Sequence, residues 1–209
     1  MHQKNVNLRQ PDVVSFDKAS FDEACATLMQ QVVQDHWPDL LIGIRTGGLY
    51  VAESMAKSVD FSLPVLSLTC RRNSTGAKNR LGPVKKLIAR LPRPMVDRLR
   101  VIEHAILTRK PSRARLYNFT FDQGELAVLD DWLREAGPKP SIVVVDDAVD
   151  TGTTLALTLD AVARHAPGAD IRSAVITVTT DRPWASPWAT PRYTLYRRQL
   201  CRFPWSLDA

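Results

Sequence analysis

The stretch SIVVVDDAVDTGTTLALTLDAV, Ser141–Val162, decides how the rest of the chain is read. It joins an unbroken apolar run to Asp146, Asp147 and Asp150, then to threonines around Gly152, then to a helical pattern of leucines and alanines. A run such as IVVVD has no polar face, so it suits a strand covered on both sides, as in parallel sheets. Its acids then fall where the strand emerges at its carboxyl end, the edge at which open parallel sheets bind ligands. The loop AVDTGTT feeds a helix. Backbone amides, the hydroxyls of Thr151, Thr153 and Thr154 and the helix dipole can therefore converge on an anion, with Gly152 letting the backbone approach closely. Asp146 and Asp147 carry the wrong charge for a phosphate, but they can accept hydrogen bonds from vicinal sugar hydroxyls or bind a Mg2+ that carries pyrophosphate. Such acids ahead of a phosphate loop describe a site for a ribose 5-phosphate. The plainer alternative, in which the acids cap the helix and the threonines satisfy its first turn, serves any one of these residues better than it serves the whole set. Other phosphate motifs are missing: the chain has no GxxxxGK[ST] loop, and no GxGxxG follows a strand.

Upstream, DLLIGIRTGGLYVAESMAKSV reads as a short buried strand, a turn at Gly47–Gly48 and a helix from about Leu49, with LPVLSL as a second strand. Nearer the start, SFDEACATLMQQVVQDHW is an amphipathic helix: Ser20 and Glu23 have capping-box spacing, and Phe21, Cys25, Leu28, Met29 and Val32 share a face. From Cys70 to about Pro140 the pattern loosens. CRRNSTGAKNRLG reads as a mobile loop, VKKLIARL and MVDRLRVIEHAIL as basic helical or mixed segments, and GELAVLDDWLREAG as a helix stopped by glycine. Residues 71–140 are therefore read as a flexible loop plus an enlarged hood or lid inserted into one domain spanning 1–209. After the helix TTLALTLDAVARHAPG comes the strand SAVITVTT, and then a tail, 181–209, rich in proline and tryptophan. Strands alternating with helices predict an α/β fold with a three-layer, mainly parallel sheet.

The 209 residues can bury a core without disulfides or a structural metal. Hydrophobic residues at 44% and charged residues at 24% are ordinary for a globular protein and argue against disorder. No stretch approaches the roughly 18 consecutive apolar residues of a membrane span, and the first residues lack the apolar core of a secretory signal, so no membrane partner and a cytoplasmic location are expected. Cys25, Cys70 and Cys201 form no CxxC pair, which argues against a disulfide framework or a zinc site, and His2, His36, His104 and His165 show no ligand or triad spacing. The formal charge of +6 suits an anionic partner, either phosphorylated small molecules or nucleic acid.

The segment VVVDDAVDTGTTL resembles, over thirteen consecutive positions, the signature of type I phosphoribosyltransferases, which bind 5-phosphoribosyl 1-pyrophosphate. GIRTGGLYVAE, upstream in the expected order, resembles the pyrophosphate-binding loop of the same family. The resemblance implies a parallel sheet flanked by helices, with a hood built from chain ends or insertions. It also implies that Asp146 and Asp147 contact the ribose and, through the substrate, Mg2+. Asp150, Thr151, Gly152, Thr153 and Thr154 would hold the 5-phosphate, while Arg45, Thr46, Gly47 and Gly48 would face pyrophosphate. CRRNSTGAKNRLG stands where the family has a closing loop, so Arg71, Arg72, Lys78 and Arg80 would shield the leaving group, although a solvated basic loop explains them equally.

Asp150 occupies the position where 6-oxopurine enzymes carry an aspartate proposed as proton acceptor, which marks it as the catalytic residue and leans toward a purine acceptor. The tail resembles the ending of xanthine, guanine and hypoxanthine enzymes. Arg182 stands there in place of a lysine that meets the 6-oxo group, a replacement that alters reach and aim. Trp184, Trp188 and Tyr193 are candidates for stacking on the base, each with core packing as the plainer reading. The implied activity is Mg2+-dependent transfer of phosphoribosyl to a purine-like base, as in purine salvage. Two alternatives stay open: a nucleotide sensor of the same fold whose basic middle binds nucleic acid, which is not the expected partner, and a transferase with a non-purine acceptor. The middle segment suggests an enlarged hood or a surface for another subunit, a homodimer among the alternatives.

Overall fold

The computed structural model describes residues 13–72, 119–180 and 190–206. Its centre is a five-stranded, wholly parallel sheet built from Leu40–Ile44 (β2), Val65–Leu68 (β3), Ser141–Val149 (β6), Asp170–Val178 (β7) and Tyr193–Arg197 (β8), in the order β3-β2-β6-β7-β8. Strands β2 and the first half of β6 are fully buried, as their unbroken apolar runs require. Alternate side chains feed two cores. Leu41, Val143 and Val145 pack against helices Lys18–Asp35 (α1) and Gly47–Lys57 (α2) on one face. Ile42, Ile142 and Val144 pack against Gln123–Glu135 (α3) and Thr153–His165 (α4) on the other. This is the expected three-layer α/β architecture. At the amino end of the sheet, Asp39 joins β2 to β6 by accepting from the Ser141 amide at 2.7 Å and donating its own amide to the Ser141 carbonyl at 2.8 Å.

Two small ribbons flank the sheet. Val13–Ser15 (β1) pairs in parallel with Leu200–Arg202 (β9), bringing the first and last described strands together. Cys70–Arg72 (β4) pairs antiparallel with Phe119–Phe121 (β5).

Four expectations are corrected. Helix α1 starts at Lys18, because Asp17 is its cap: the Asp17 carboxylate accepts from the Ser20 amide at 2.8 Å while the Asp17 amide donates to the Ser20 hydroxyl at 3.0 Å, so Ser20 closes the box instead of opening it. The loop expected at Cys70 begins as a strand. Helix α3, assigned to the insertion, is a layer of the main domain, since Leu126 and Leu129 are buried in the second core. The tail, 181–209, expected to contribute to the base pocket, also carries part of the core: β8 is the fifth strand of the central sheet. In the same tail, Trp205 stacks on Phe203 with ring centroids 4.9 Å apart and meets Tyr50 at 4.9 Å and Phe21 at 5.0 Å, fastening the chain to α1 and α2. Among the described residues no helix is long and apolar enough to cross a membrane.

Candidate active site

Strands β2 and β6 lie side by side, but their connections depart in opposite directions, β2 through α2 to β3 and β6 through α4 to β7. The two helices accordingly cover opposite faces, and a crevice opens between the carboxyl ends of the two strands, where such sheets bind ligands. The segment Arg45–Gly48 leaves β2 at this crevice, its two glycines forming the start of α2 and not the turn expected before it, and the segment Asp146–Thr154 leaves β6 at the same place. They are in direct contact. A Cβ on Gly47 would overlap the Asp147 carboxylate, and one on Gly48 would strike the Val145 carbonyl and lie 2.8 Å from the Asp146 Cα. Glycine is needed at both positions for the β2 loop to lie against the acids. The Arg45–Thr46 peptide is cis.

Asp146 and Asp147 sit within β6 rather than beyond it, since pairing with β7 continues through Val149–Val178. Each carboxylate accepts from the next backbone amide at 3.0 Å, Asp146 from Asp147 and Asp147 from Ala148. Burial raises both carboxyls above the ordinary value, and their mutual charge drives Asp146 further up, with Asp150 adding to the repulsion. A buried acid pair of this kind is relieved by hydroxyl donors or a hard cation. The donor set, oxygen alone, fits Mg2+, which commonly takes one or two carboxylates and completes its shell with water and substrate phosphate. Among the described residues, no cluster of three or more His, Cys, Asp or Glu forms a protein-only cage, so the fit is to a metal shared with a ligand.

Past the acids, Gly152 caps α4 in the left-handed region with φ 70°, a conformation that favours glycine and offers no capping side chain, while the Thr151 hydroxyl accepts from the Thr153 amide at 3.5 Å. The first turn of α4 contains no acid, and Thr151 and Thr153 bring their hydroxyls within 3.1 Å of each other at this end. Amides, hydroxyls and dipole thus gather at one point suited to a phosphate. Asp150 is braced sideways, its Oδ1 accepting from the Thr179 hydroxyl just past the end of β7, while the Thr179 amide donates to Val149 at 3.0 Å.

Arg45 turns toward β3. Its Nε lies 3.4 Å from Glu125 Oε1, and its Nη2 is 3.5 Å from the Ser67 hydroxyl. Glu125, in the first turn of α3, has no local pattern to announce these contacts, because its hydrogen-bond partners Ser67 and Thr69 lie 58 and 56 residues away in sequence. Cys201 on β9 was also missed as a site neighbour: burial pushes its thiol up to about 11, with the Asp147 charge adding to the shift. On the other ribbon, Cys70 is likewise pushed up to about 11 by burial, with Asp146 adding.

Arg71 and Arg72 lie on β4, opposite Thr120 and Phe119, so they belong to a paired ribbon at this point of the chain and not to an open loop. Lys78, Arg80, Arg182, Trp184 and Trp188 lie outside the described residues. Tyr193 is not a base-stacking residue: it is 7% exposed, packed in the first core, and its hydroxyl donates to Asp35 at 2.8 Å and accepts from Arg172 at 2.9 Å. Its ring serves the sheet, and its hydroxyl serves an ion-pair network of Asp35, Arg172 and Arg192.

Comparison with solved structures finds this fold repeatedly. A purine phosphoribosyltransferase from Pyrococcus horikoshii Ot3 is similar at 20% identity, with 93% of this chain and 94% of that chain covered and a TM-score of 0.54. The Helicobacter pylori xanthine-guanine-hypoxanthine phosphoribosyltransferase is similar at 16% identity, with 94% and 95% covered and a TM-score of 0.53. A hypothetical protein from Neisseria gonorrhoeae, solved with bound ppGpp, is similar at 12% identity, with 95% and 91% covered and a TM-score of 0.57. Comparison with curated proteins yields no match. The family model for the phosphoribosyl transferase domain matches residues 17–187, a span holding both crevice loops. The chain belongs to the phosphoribosyl transferase domain family and is an enzyme of that class.

Proposed function

We propose that this chain transfers the phosphoribosyl group of 5-phosphoribosyl 1-pyrophosphate to a purine or purine-like base and releases pyrophosphate. The observation that carries the reading is the packing of the Gly47 backbone on the Asp147 carboxylate, which makes the Arg45–Gly48 loop and the acid pair facing walls of one crevice. A sugar whose diol rests on Asp146 and Asp147 has its 5-phosphate at the amino end of α4 and its anomeric carbon turned toward the β2 loop.

In the reaction, a ring nitrogen of the base forms a bond to the anomeric carbon as the bond from that carbon to the pyrophosphate oxygen breaks. The leaving group keeps the electron pair, and the base nitrogen's proton passes to Asp150. The sugar gains positive character midway, and the buried carboxylates below it stabilise that charge. Arg45 and the amides of the β2 loop meet the charge developing on pyrophosphate. When bound with the substrate, Mg2+ would be held by Asp146 and Asp147 and would supply further neutralisation of the leaving group.

Pyrophosphate release from the activated sugar, measured across a panel of bases with Mg2+ present, tests this reading. Turnover with 6-oxopurines is expected. Turnover only with other bases would overturn the purine assignment, turnover with none would overturn the transfer itself, and full activity in excess chelator would remove the metal. A second reading, a nucleotide sensor, is favoured by one observation, the neighbour solved with ppGpp. Ligand-dependent retention of DNA or RNA in a gel shift at physiological salt, without base-dependent turnover, would support it.

A further inference from the structure

The Glu125 carboxylate ties α3 to two separate pieces of chain, the stretch Ser67–Thr69 and Arg45. Its Oε2 accepts from the Thr69 amide at 2.5 Å, and its Oε1 accepts from the Ser67 hydroxyl at 2.8 Å and the Thr69 hydroxyl at 3.1 Å. The same Oε1 stands 3.4 Å from Arg45 Nε. Glu125 is 18% exposed in its side chain and Arg45 52%, so a nearly buried acid holds a half-exposed base. Glu125 and Ser67 occupy the Nε–Nη2 edge of the guanidinium, and Nη1 has no described partner. An arginine engaged on one edge presents the other to a second planar or phosphoryl acceptor.

We propose that Glu125 is a positioning residue that fixes the Arg45 guanidinium so that its remaining edge meets the pyrophosphate group. The inference rests on the proposed function for its ligand. Glu125 itself touches no substrate; it removes freedom from a long side chain before binding. An arginine that must be ordered on binding weakens affinity by about 2- to 10-fold relative to one already ordered. The carboxylate also repels an incoming anion, an effect of opposite sign. Salt suppresses that effect, because the Debye length falls to about 4 Å near 0.5 M.

The test is calorimetric titration of inorganic pyrophosphate and of 5-phosphoribosyl 1-pyrophosphate at about 0.5 M salt. Wild type, E125Q, R45M and the double variant are compared. Binding by wild type, about 2- to 10-fold weaker binding by E125Q, and no further loss when E125Q is added to R45M are expected. Equal or tighter binding by E125Q, or an equal loss in the R45M background, overturns the proposal. Should E125Q fail to fold, S67A replaces it: a smaller loss is expected there, and unchanged affinity overturns the proposal. Failure of wild type to bind either compound refutes the proposed function instead.

Discussion

Replacing Gly47 and Gly48 one at a time with alanine separates the two jobs of the β2 loop. Both glycines lie in α2, and neither has a positive φ, so alanine is conformationally allowed at each. Helix propensity alone would then make either substitution stabilising by about 0.5–1 kcal/mol. The surroundings reverse this at Gly48. A methyl there meets only backbone of β6: the Val145 carbonyl, the Asp146 Cα at 2.8 Å and the Val145 carbonyl carbon at 3.1 Å. That backbone is pinned by pairing with β2 and β7. Overpacking against rigid backbone costs about 2–3 kcal/mol, the upper part of the usual range, which leaves a net loss of about 1–2.5 kcal/mol. For a chain of this size the melting temperature should fall by about 2–10 °C. At Gly47 the obstacle is a side chain, the Asp147 carboxylate, which can swing aside by giving up the Ala148 amide it holds at 3.0 Å. G47A should therefore change stability by less than about 1 kcal/mol but weaken activated-sugar binding about 10- to 100-fold, the loss of charged hydrogen bonds to the diol. Urea or thermal unfolding and calorimetry on the same preparations give both numbers. A G48A protein melting at or above wild type, or a G47A protein with full affinity, would refute the stated packing of the two loops.

Three further outcomes follow from the site. D150N should bind the activated sugar as wild type does yet turn over about 10²- to 10⁴-fold more slowly with an acceptor, and unchanged steady-state rates would remove Asp150 as proton acceptor. T151V should weaken the binding of ribose 5-phosphate, and unaltered affinity would contradict the phosphate assignment. Because burial holds Asp146 and Asp147 above the ordinary carboxyl value of 3.8, with the Asp147 charge pushing Asp146 further up, the ligand-free fold is favoured while they are protonated and loses that stabilisation as pH rises through the raised values. Urea midpoints taken upward from about pH 4 should thus decline more for wild type than for D146N, whereas parallel profiles would refute the coupling.

How much of this was readable in the chain depends on how local the signal is. The run from Ile142 to Val145 has no polar face, so a strand buried on both sides was the only economical reading, and Gly152 before a helical pattern marked the turn correctly. The cap of α1 was misplaced because Ser20 and Glu23 carry the same spacing as the true pair, Asp17 and Ser20, three residues earlier. Helix α3 reads as part of the insertion because the looser pattern runs from Cys70 to about Pro140, whereas burial of Leu126 and Leu129 is visible only once the sheet exists. Strand β8 is short and lies in a tail whose prolines and tryptophans obscure its alternation. Tyr193 illustrates the ambiguity of aromatic residues, whose ring and hydroxyl suit a core as readily as a ligand. Glu125 had no signal at all, since Arg45, Ser67 and Thr69 meet it only through the tertiary fold.

The parallel pairing of β1 with β9 ties the first and last described strands together near the candidate site, because β9 carries Cys201 within electrostatic reach of Asp147. Trimming past Ser15 would strip β9 of its hydrogen-bonded neighbour in that ribbon, and cargo fused soon after Trp205 would pull on the same seam. Shortened variants that cut into Val13–Ser15 or Leu200–Arg202 therefore disturb the ribbon whose Cys201 neighbours Asp147, even when both loops of the candidate site are intact.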